Sequence, residues 1–236
     1  MFCLVFPAPC HVCAQPLRHY SRIPVCPSCL AHLPELGLPG CPQCGKASAT
    51  ADRNLVCLQC QFDPPAYDQA ASAAAYNGSG KELVHLLKYN RVLPLAEFWA
   101  ERLRLCAERF GLQADVIVPV PLGKKRQRQR GFNQSGEIAR RLAQKLQCDY
   151  AADALTRTRE TQSQAGLEMA ARIENVAGAF LANPKRIVGR SVLLVDDVLT
   201  TGATARAASA ALKRAGARKV VVLTATRADM RKDIAA

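Results

Sequence analysis

The run SVLLVDDVLTTGATARAASAALKRAG, residues 191 to 216, restricts the fold more than any other part of the chain. SVLLV is a short continuous apolar stretch, of the kind found in strands buried on both faces of a parallel sheet. Two aspartates follow, then threonines around a glycine, then ATARAASAALKRAG, which predicts a helix closed by Gly216. KVVVLTAT predicts another buried strand, and DVIVPV a third that ends at Pro121. PLAEFWAERLRLCAERFG predicts an amphipathic helix, with Pro94 in its first turn, Gly111 at its stop, and Leu95, Phe98, Trp99, Cys106 and Phe110 on its apolar face. A further helix should place Ile138, Leu142 and Leu146 on one face, and GSGKELVHLLKYN carries Leu83, Leu86 and Leu87 at helical spacing. Residues 150 to 178 are polar and rich in Arg, Gln and Glu, which predicts an insertion with short helical pieces outside the core. Strands alternating with helices predict an α/β fold with a mostly parallel sheet flanked by helices.

In such a sheet ligands bind at the carboxyl ends of the strands, where Asp196 and Asp197 should lie. Two adjacent carboxylates need cations or hydroxyl donors as partners. Thr200, Thr201, Gly202, Ala203 and Thr204 then supply hydroxyls, a closely approachable backbone and a helix N-terminus, which together favour an anion. A sugar phosphate with two free ring hydroxyls suits both halves. The segment is not a Walker A loop and has no G-x-G-x-x-G fingerprint. The simpler alternative is that the aspartates cap the helix and the threonines are turn residues.

Cysteines organise the other end. Cys10 and Cys13, Cys26 and Cys29, Cys41 and Cys44, and Cys57 and Cys60 form four C-x-x-C pairs, which read as C-x2-C-x12-C-x2-C twice. Each pair can aim two thiolates at one metal, and four soft ligands suit tetrahedral zinc. Two structural zinc ions are expected, one per half in the simplest pairing, with cross-braced pairing or disulfides as alternatives. Cys3, Cys106 and Cys148 stand outside this pattern, and the last two read as small buried apolar residues. QFDPPAYD reads as a linker. The expected division is therefore residues 1–65 as a double zinc-ribbon module and 66–236 as the α/β domain.

Charge points to a polyanionic partner. The net charge is +13, and GKKRQRQR, residues 123 to 130, holds five positive groups and no negative one. Nucleic acid or a heavily phosphorylated small molecule would suit it, although a solvated loop would also account for it. No apolar run is long enough to span a bilayer, and MFCLVFPAPC lacks the basic region and cleavage site of a signal peptide. A cytoplasmic chain without membrane insertion is expected.

VLLVDDVLTTGAT resembles the phosphoribosyl pyrophosphate motif of type I phosphoribosyltransferases. Together with the four C-x-x-C pairs, LLKYN, PVPL, RGFNQS and LTRTRETQSQAGLEMAARIENVAGAF, it resembles the competence protein F family, also called amidophosphoribosyltransferase-like, over roughly residues 10 to 226. The resemblance implies a type I phosphoribosyltransferase fold and a magnesium-dependent transfer to an unidentified acceptor. It implies that Asp196 and Asp197 hold the ribose hydroxyls, directly or through magnesium, and that Thr200 to Thr204 cradle the 5′-phosphate. The backbone around Leu122 to Lys124 would lie along the pyrophosphate, with Lys88 a candidate second contact to it. Arg130, Asn133 and Gln134 would line the mobile side, and Arg157, Arg159, Gln164, Arg172 and Asn175 a hood over the site. It also implies a role in taking up transforming single-stranded DNA, beside a helicase. A DNA-binding or scaffold protein that holds phosphoribosyl pyrophosphate without turning it over is the competing expectation. The basic segment lacks the interleaved aromatics of a stacking platform, Phe132 being the one nearby.

Overall fold

The computed structural model describes residues 8–17, 21–34, 36, 40–47, 55–159 and 178–228. Its centre is a five-stranded sheet in the order β1-β7-β6-β2-β3, with every neighbouring pair parallel. The strands are β1 (Gln69–Ala75), β2 (Val116–Pro119), β3 (Asp149–Tyr150), β6 (Ser191–Leu199) and β7 (Lys219–Arg227). A separate antiparallel ribbon joins β4 (Leu155–Arg157) to β5 (Phe180–Ala182).

Alternation along β6 explains its unbroken apolar run. Leu193 and Val195 face one buried cluster, together with Ile117, Val221 and Leu223. Helices α3 (Gly78–Tyr89), α4 (Pro94–Arg109) and α6 (Gln134–Leu146) cover that face through Leu83, Leu87, Trp99, Leu103, Ile138 and Leu142. Val192 and Leu194 face the opposite cluster, with Val116, Val118, Val220 and Val222. There α8 (Ala203–Arg214) supplies Ala205, Ala208, Ala211 and Leu212, and the β4–β5 ribbon adds Leu155 and Phe180. A strand sandwiched in this way has no polar face to spare.

Four expectations need correction. GKKRQRQR is a helix, α5 (Lys124–Arg130), which starts from Gly123 and ends at Gly131 in the left-handed region, φ +79°. The polar stretch after residue 150 is not wholly peripheral, because Ala151, Ala154 and Leu155 are buried. Phe110 is exposed beyond the end of α4. The linker is anchored, since Tyr67 is 4% exposed and sits in the α8-side cluster.

The alanine-rich segment 69–75 is a strand although alanine has little preference for one. Its small side chains let the cysteine knuckles reach the backbone at the edge of the sheet. Ala70 N–H donates to Gln43 O at 2.8 Å, and Ala75 N–H donates to Pro34 O at 2.9 Å. Ala70 O would lie 2.7 Å from a Cβ placed on Gly45. The knuckle segments thus cover an edge that would otherwise offer free pairing groups. The remaining short helices are α1 (Pro27–Ala31) and α2 (Leu58–Phe62) in the knuckles and α7 (Pro184–Ile187) before β6.

Trp99 is the single tryptophan and is fully buried. Trp99→Ala should lower the free energy of unfolding by about 3–5 kcal/mol in urea titrations followed by circular dichroism. A loss below about 1 kcal/mol would mean that Trp99 is not a core residue.

Candidate functional site

The carboxyl ends of β6 and β2 open into a cleft of about 840 Å³. Strand β6 runs on to Leu199, so Asp196 and Asp197 are paired into the sheet, with Asp196 opposite Thr224 of β7. Their side chains therefore have a fixed direction. Asp197 is 5% exposed, and its Oδ1 takes a salt bridge from Lys88 Nζ of α3 at 2.9 Å. Its Oδ2 is buried with no hydrogen-bond partner among the described residues. Asp196 Oδ1 accepts from Ser135 Oγ at 2.8 Å and from the Asp197 N–H at 2.9 Å.

Electrostatics follow from this crowding. Burial pushes the Asp196 carboxyl up, the adjacent Asp197 charge adds to the effect, and the bonds from Ser135 and Asp197 N–H only partly oppose it, leaving it at about 7. Burial alone would lower the Lys88 ammonium, but the Asp197 charge and hydrogen bond outweigh it and raise it above the ordinary lysine range. A buried pair of this kind is costly to break by removing one partner.

Beyond β6 the chain turns through Thr200, Thr201 and Gly202 into α8. Gly202 stands at φ +81°, where a side chain would strain the backbone, and Ala203 N–H donates to Thr201 Oγ1 at 3.4 Å. Thr200 and Thr204 line the cleft. A recess of about 30 Å³ beside them is bounded by Asp196, Gly202, Ala203 and Thr224.

The other walls are basic. Lys88, Arg91, Arg126, Arg130 and Arg157 all line the cleft, as do Leu122 and Gln134. Arg130 donates to Gln134 Oε1 at 2.7 Å and lies 5.3 Å from the ring centroid of Tyr89. Asn133 acts within the scaffold. Its Oδ1 caps α6 by accepting from Ser135 N–H, and its Nδ2 donates to Val120 O at 3.0 Å. Lys124 opens α5, and Arg159 lies just beyond β4 and outside the cleft lining. Gln164, Arg172 and Asn175 fall outside the described residues. Sequence reasoning did not single out Ser135, Tyr76, Tyr89, Arg91, Arg126 or Gln129 as site residues. Ser135 and Tyr89 belong to the RGFNQS and LLKYN motifs, but nothing in their spacing shows that α6 and α3 bring them to one strand end.

The cysteines form two clusters. The Sγ atoms of Cys10, Cys13, Cys26 and Cys29 lie within 4.8 Å of one another, and so do those of Cys41, Cys44, Cys57 and Cys60. Each half is therefore self-contained. Backbone N–H groups of Val12 and Cys26 donate to Cys10 Sγ, and that of Cys57 donates to Cys41 Sγ. Burial opposes ionisation of Cys10, but its backbone hydrogen bonds prevail and bring it down to about 6. Each set of four converging sulfurs, with a backbone donor already aimed at its first cysteine, fits a thiophilic tetrahedral ion.

A carboxyl that holds its proton more tightly when folded stabilises the fold at low pH and loses that contribution as pH rises through its folded value. For Asp196 the loss spans the interval from its ordinary value to about 7. Asp196→Asn, which keeps an oxygen for Ser135, should therefore raise stability by about 4 kcal/mol near pH 8. The gain should vanish below about pH 4. Thermal melts across this range check it, and a gain that does not change with pH would contradict the assignment.

A family model described as a phosphoribosyl transferase domain matches residues 96–235. The DNA utilization protein YhgH of Escherichia coli (strain K12) is 35% identical over 227 residues, which cover 93% of this chain and 96% of that protein. Competence protein F of Haemophilus influenzae (strain ATCC 51907 / DSM 11121 / KW20 / Rd) is 27% identical over 222 residues, covering 89% and 93%. Competence protein ComFC of Bacillus subtilis (strain 168) is 27% identical over 201 residues, covering 81% and 79%. Among solved structures, the glutamine phosphoribosylpyrophosphate amidotransferase of B. subtilis aligns with a TM-score of 0.41 at 23% identity, over 56% of this chain and 26% of that one. With the family model matched over residues 96–235 and near full-length relatives of these names, the chain belongs to the phosphoribosyl transferase domain family and, within it, to the competence protein F family.

Proposed function

We propose that the cleft binds phosphoribosyl pyrophosphate with magnesium and passes its phosphoribosyl group to an acceptor that the site does not identify. The observation that carries this reading is a carboxylate pair on β6, followed at once by a hydroxyl-rich loop at the start of α8 and faced by five cations. In this reading Asp196 and Asp197 take the ribose hydroxyls, and Thr200, Thr201, Gly202, Ala203 and Thr204 take the 5′-phosphate. Lys88, Arg126 and Arg130 face the diphosphate, and Arg157 closes the far side. Gln164, Arg172 and Asn175 complete the hood, with Arg159 at its base. The division between the knuckles and the catalytic domain at residue 65 belongs to the same proposal.

Magnesium fits the donor set, because hard carboxylate oxygens are its usual protein ligands and Asp197 Oδ2 has no hydrogen-bond partner among the described residues. When bound, it would screen the charge that develops on the departing diphosphate. The chain's own contribution is preorganised charge. Departure of the diphosphate builds positive charge on the ribose, which Asp196 and Asp197 stabilise, while arginines receive the leaving group. Lys88 is held on Asp197 until the ligand arrives. Ribose hydroxyls that take over Asp197 free the ammonium to meet the diphosphate.

A second activity rests on α5. Its cations Lys124, Lys125, Arg126, Arg128 and Arg130 sit on a helix with no buried residue. The relatives are named for DNA utilization and competence, and we propose that α5 engages single-stranded DNA beside a helicase. We also propose that the chain works in the cytoplasm; among the described residues no helix is long and apolar enough to cross a membrane.

Calorimetric titration with phosphoribosyl pyrophosphate should show magnesium-dependent binding that weakens about a hundredfold in the Asp196→Ala/Asp197→Ala variant. Equal binding by both proteins would overturn the assignment. The Lys124→Ala/Lys125→Ala variant should keep that binding while its salt slope for single-stranded DNA falls by roughly 1.4. Metal analysis of protein purified without chelator should find about two zinc ions per chain, consistent with four sulfur ligands each. Protein that is folded and metal-free would contradict the ribbon module.

A further inference from the structure

The two cysteine clusters occupy different positions relative to the cleft. The first packs on the α3–α4 face. Cys10 and Val25 share the buried cluster with Trp99, and Arg102 of α4 donates to Leu30 O at 3.1 Å. Ser79 Oγ at the start of α3 donates to His32 O at 3.2 Å. None of these contacts reaches the phosphate loop.

The second cluster is joined to that loop's entry, to its glycine turn and to the helix that follows. Arg206, in the first turn of α8, donates to Asp63 Oδ2 at 3.0 Å and to Asp63 O at 2.7 Å, three residues after the ligand Cys60. Arg227, at the end of β7, donates to Cys44 O at 2.5 Å. The next residue, Ala228, donates its N–H to Leu199 O at 2.9 Å, where the loop leaves β6. Tyr67 is buried with Cys41, Cys44, Cys60, Leu199 and Ala205 in one cluster. Its Oη would lie 3.7 Å from a Cβ on Gly202. The loop's entry, its glycine turn and the helix that follows it are thus all braced against one knuckle.

We propose that the second cysteine knuckle is a working part of the phosphate site, with Tyr67, Arg206 and Arg227 as positioning residues that transmit its state to the loop 199–204. Metal held by Cys41, Cys44, Cys57 and Cys60 keeps the loop in its phosphate-binding form, and metal held by the first cluster does not. The idea rests on the phosphate assignment above and adds a control to it. Because binding free energies are reciprocal, ligand in the loop must also tighten the metal in the second cluster.

The test compares Cys57→Ser with Cys13→Ser in the full chain, each of which removes one ligand from one cluster. Hydrogen exchange should rise across residues 199–206 in Cys57→Ser and stay at the wild-type rate there in Cys13→Ser. Affinity for ribose 5-phosphate should fall about tenfold in the first variant and less than about twofold in the second. Tyr67→Ala should reproduce the loop exchange with both metals retained, and Tyr67→Phe should restore it. In the wild-type chain, ribose 5-phosphate should slow chelator extraction of one zinc equivalent of two, the one missing from Cys57→Ser. Equal loop exchange in both cysteine variants, or in Tyr67→Ala and wild type, would overturn the coupling. Wild-type protein that ignores ribose 5-phosphate while its loop exchange still follows the second cluster would overturn the phosphate assignment and leave the brace standing.

Discussion

Two carboxylates in succession on a buried parallel strand set the terms for everything around them. Two carboxylates held this close repel each other and are costly to bury, so each must find its own compensation. Asp197 finds it in Lys88, which α3 delivers at 2.9 Å. Asp196 finds it in Ser135, which the N-terminus of α6 delivers at 2.8 Å. The positions of both helices are therefore tied to β6 by charge as well as by apolar packing. Among the described residues one Asp197 oxygen has no hydrogen-bond partner, and the Asp196 carboxyl is held at about 7 by burial and by its neighbour. A diol that donates two hydrogen bonds relieves both.

The knuckles answer a different constraint. A parallel sheet of five strands has an open edge at β1, and alanine side chains leave it weakly protected. Backbone donors of Ala70 and Ala75 are taken by Gln43 and Pro34, so the cysteine segments serve as the cover of that edge. This explains how two small metal-type modules without much core of their own become part of a larger fold. It also places the second of them beside the loop after β6, where Arg206 and Arg227 reach it.

Much of this was legible in the residues. The apolar runs at 192–195 and 220–223 read as strands buried on both faces, and the duplicated cysteine spacing favoured one cluster per half while leaving cross-bracing open, which the sulfur positions decide. The aspartates and the threonine–glycine loop were legible because adjacent charges after an apolar strand require a partner. Other features were hidden for physical reasons. The strand at 69–75 carries no β-branched residue, and what makes it a strand is backbone contact with residues far away in sequence. The basic segment 124–130 has no apolar face, so periodicity could not reveal a helix. Asn133 was expected to line the site from its motif, but its use in capping α6 and holding Val120 could not be read from spacing. Ser135 and Tyr67 were invisible because their roles depend on which elements the fold brings together.

The central claim is that one cleft, at the carboxyl ends of β6 and β2, holds a ribose by its hydroxyls and its phosphate at once. A crystal structure of the chain with phosphoribosyl pyrophosphate and magnesium tests it most directly. The account predicts the 5′-phosphate on the loop 200–204, the ring hydroxyls on Asp196 and Asp197, and Lys88 moved from Asp197 toward the diphosphate. Phosphates lying along α5, with the Lys88–Asp197 pair intact, would contradict it.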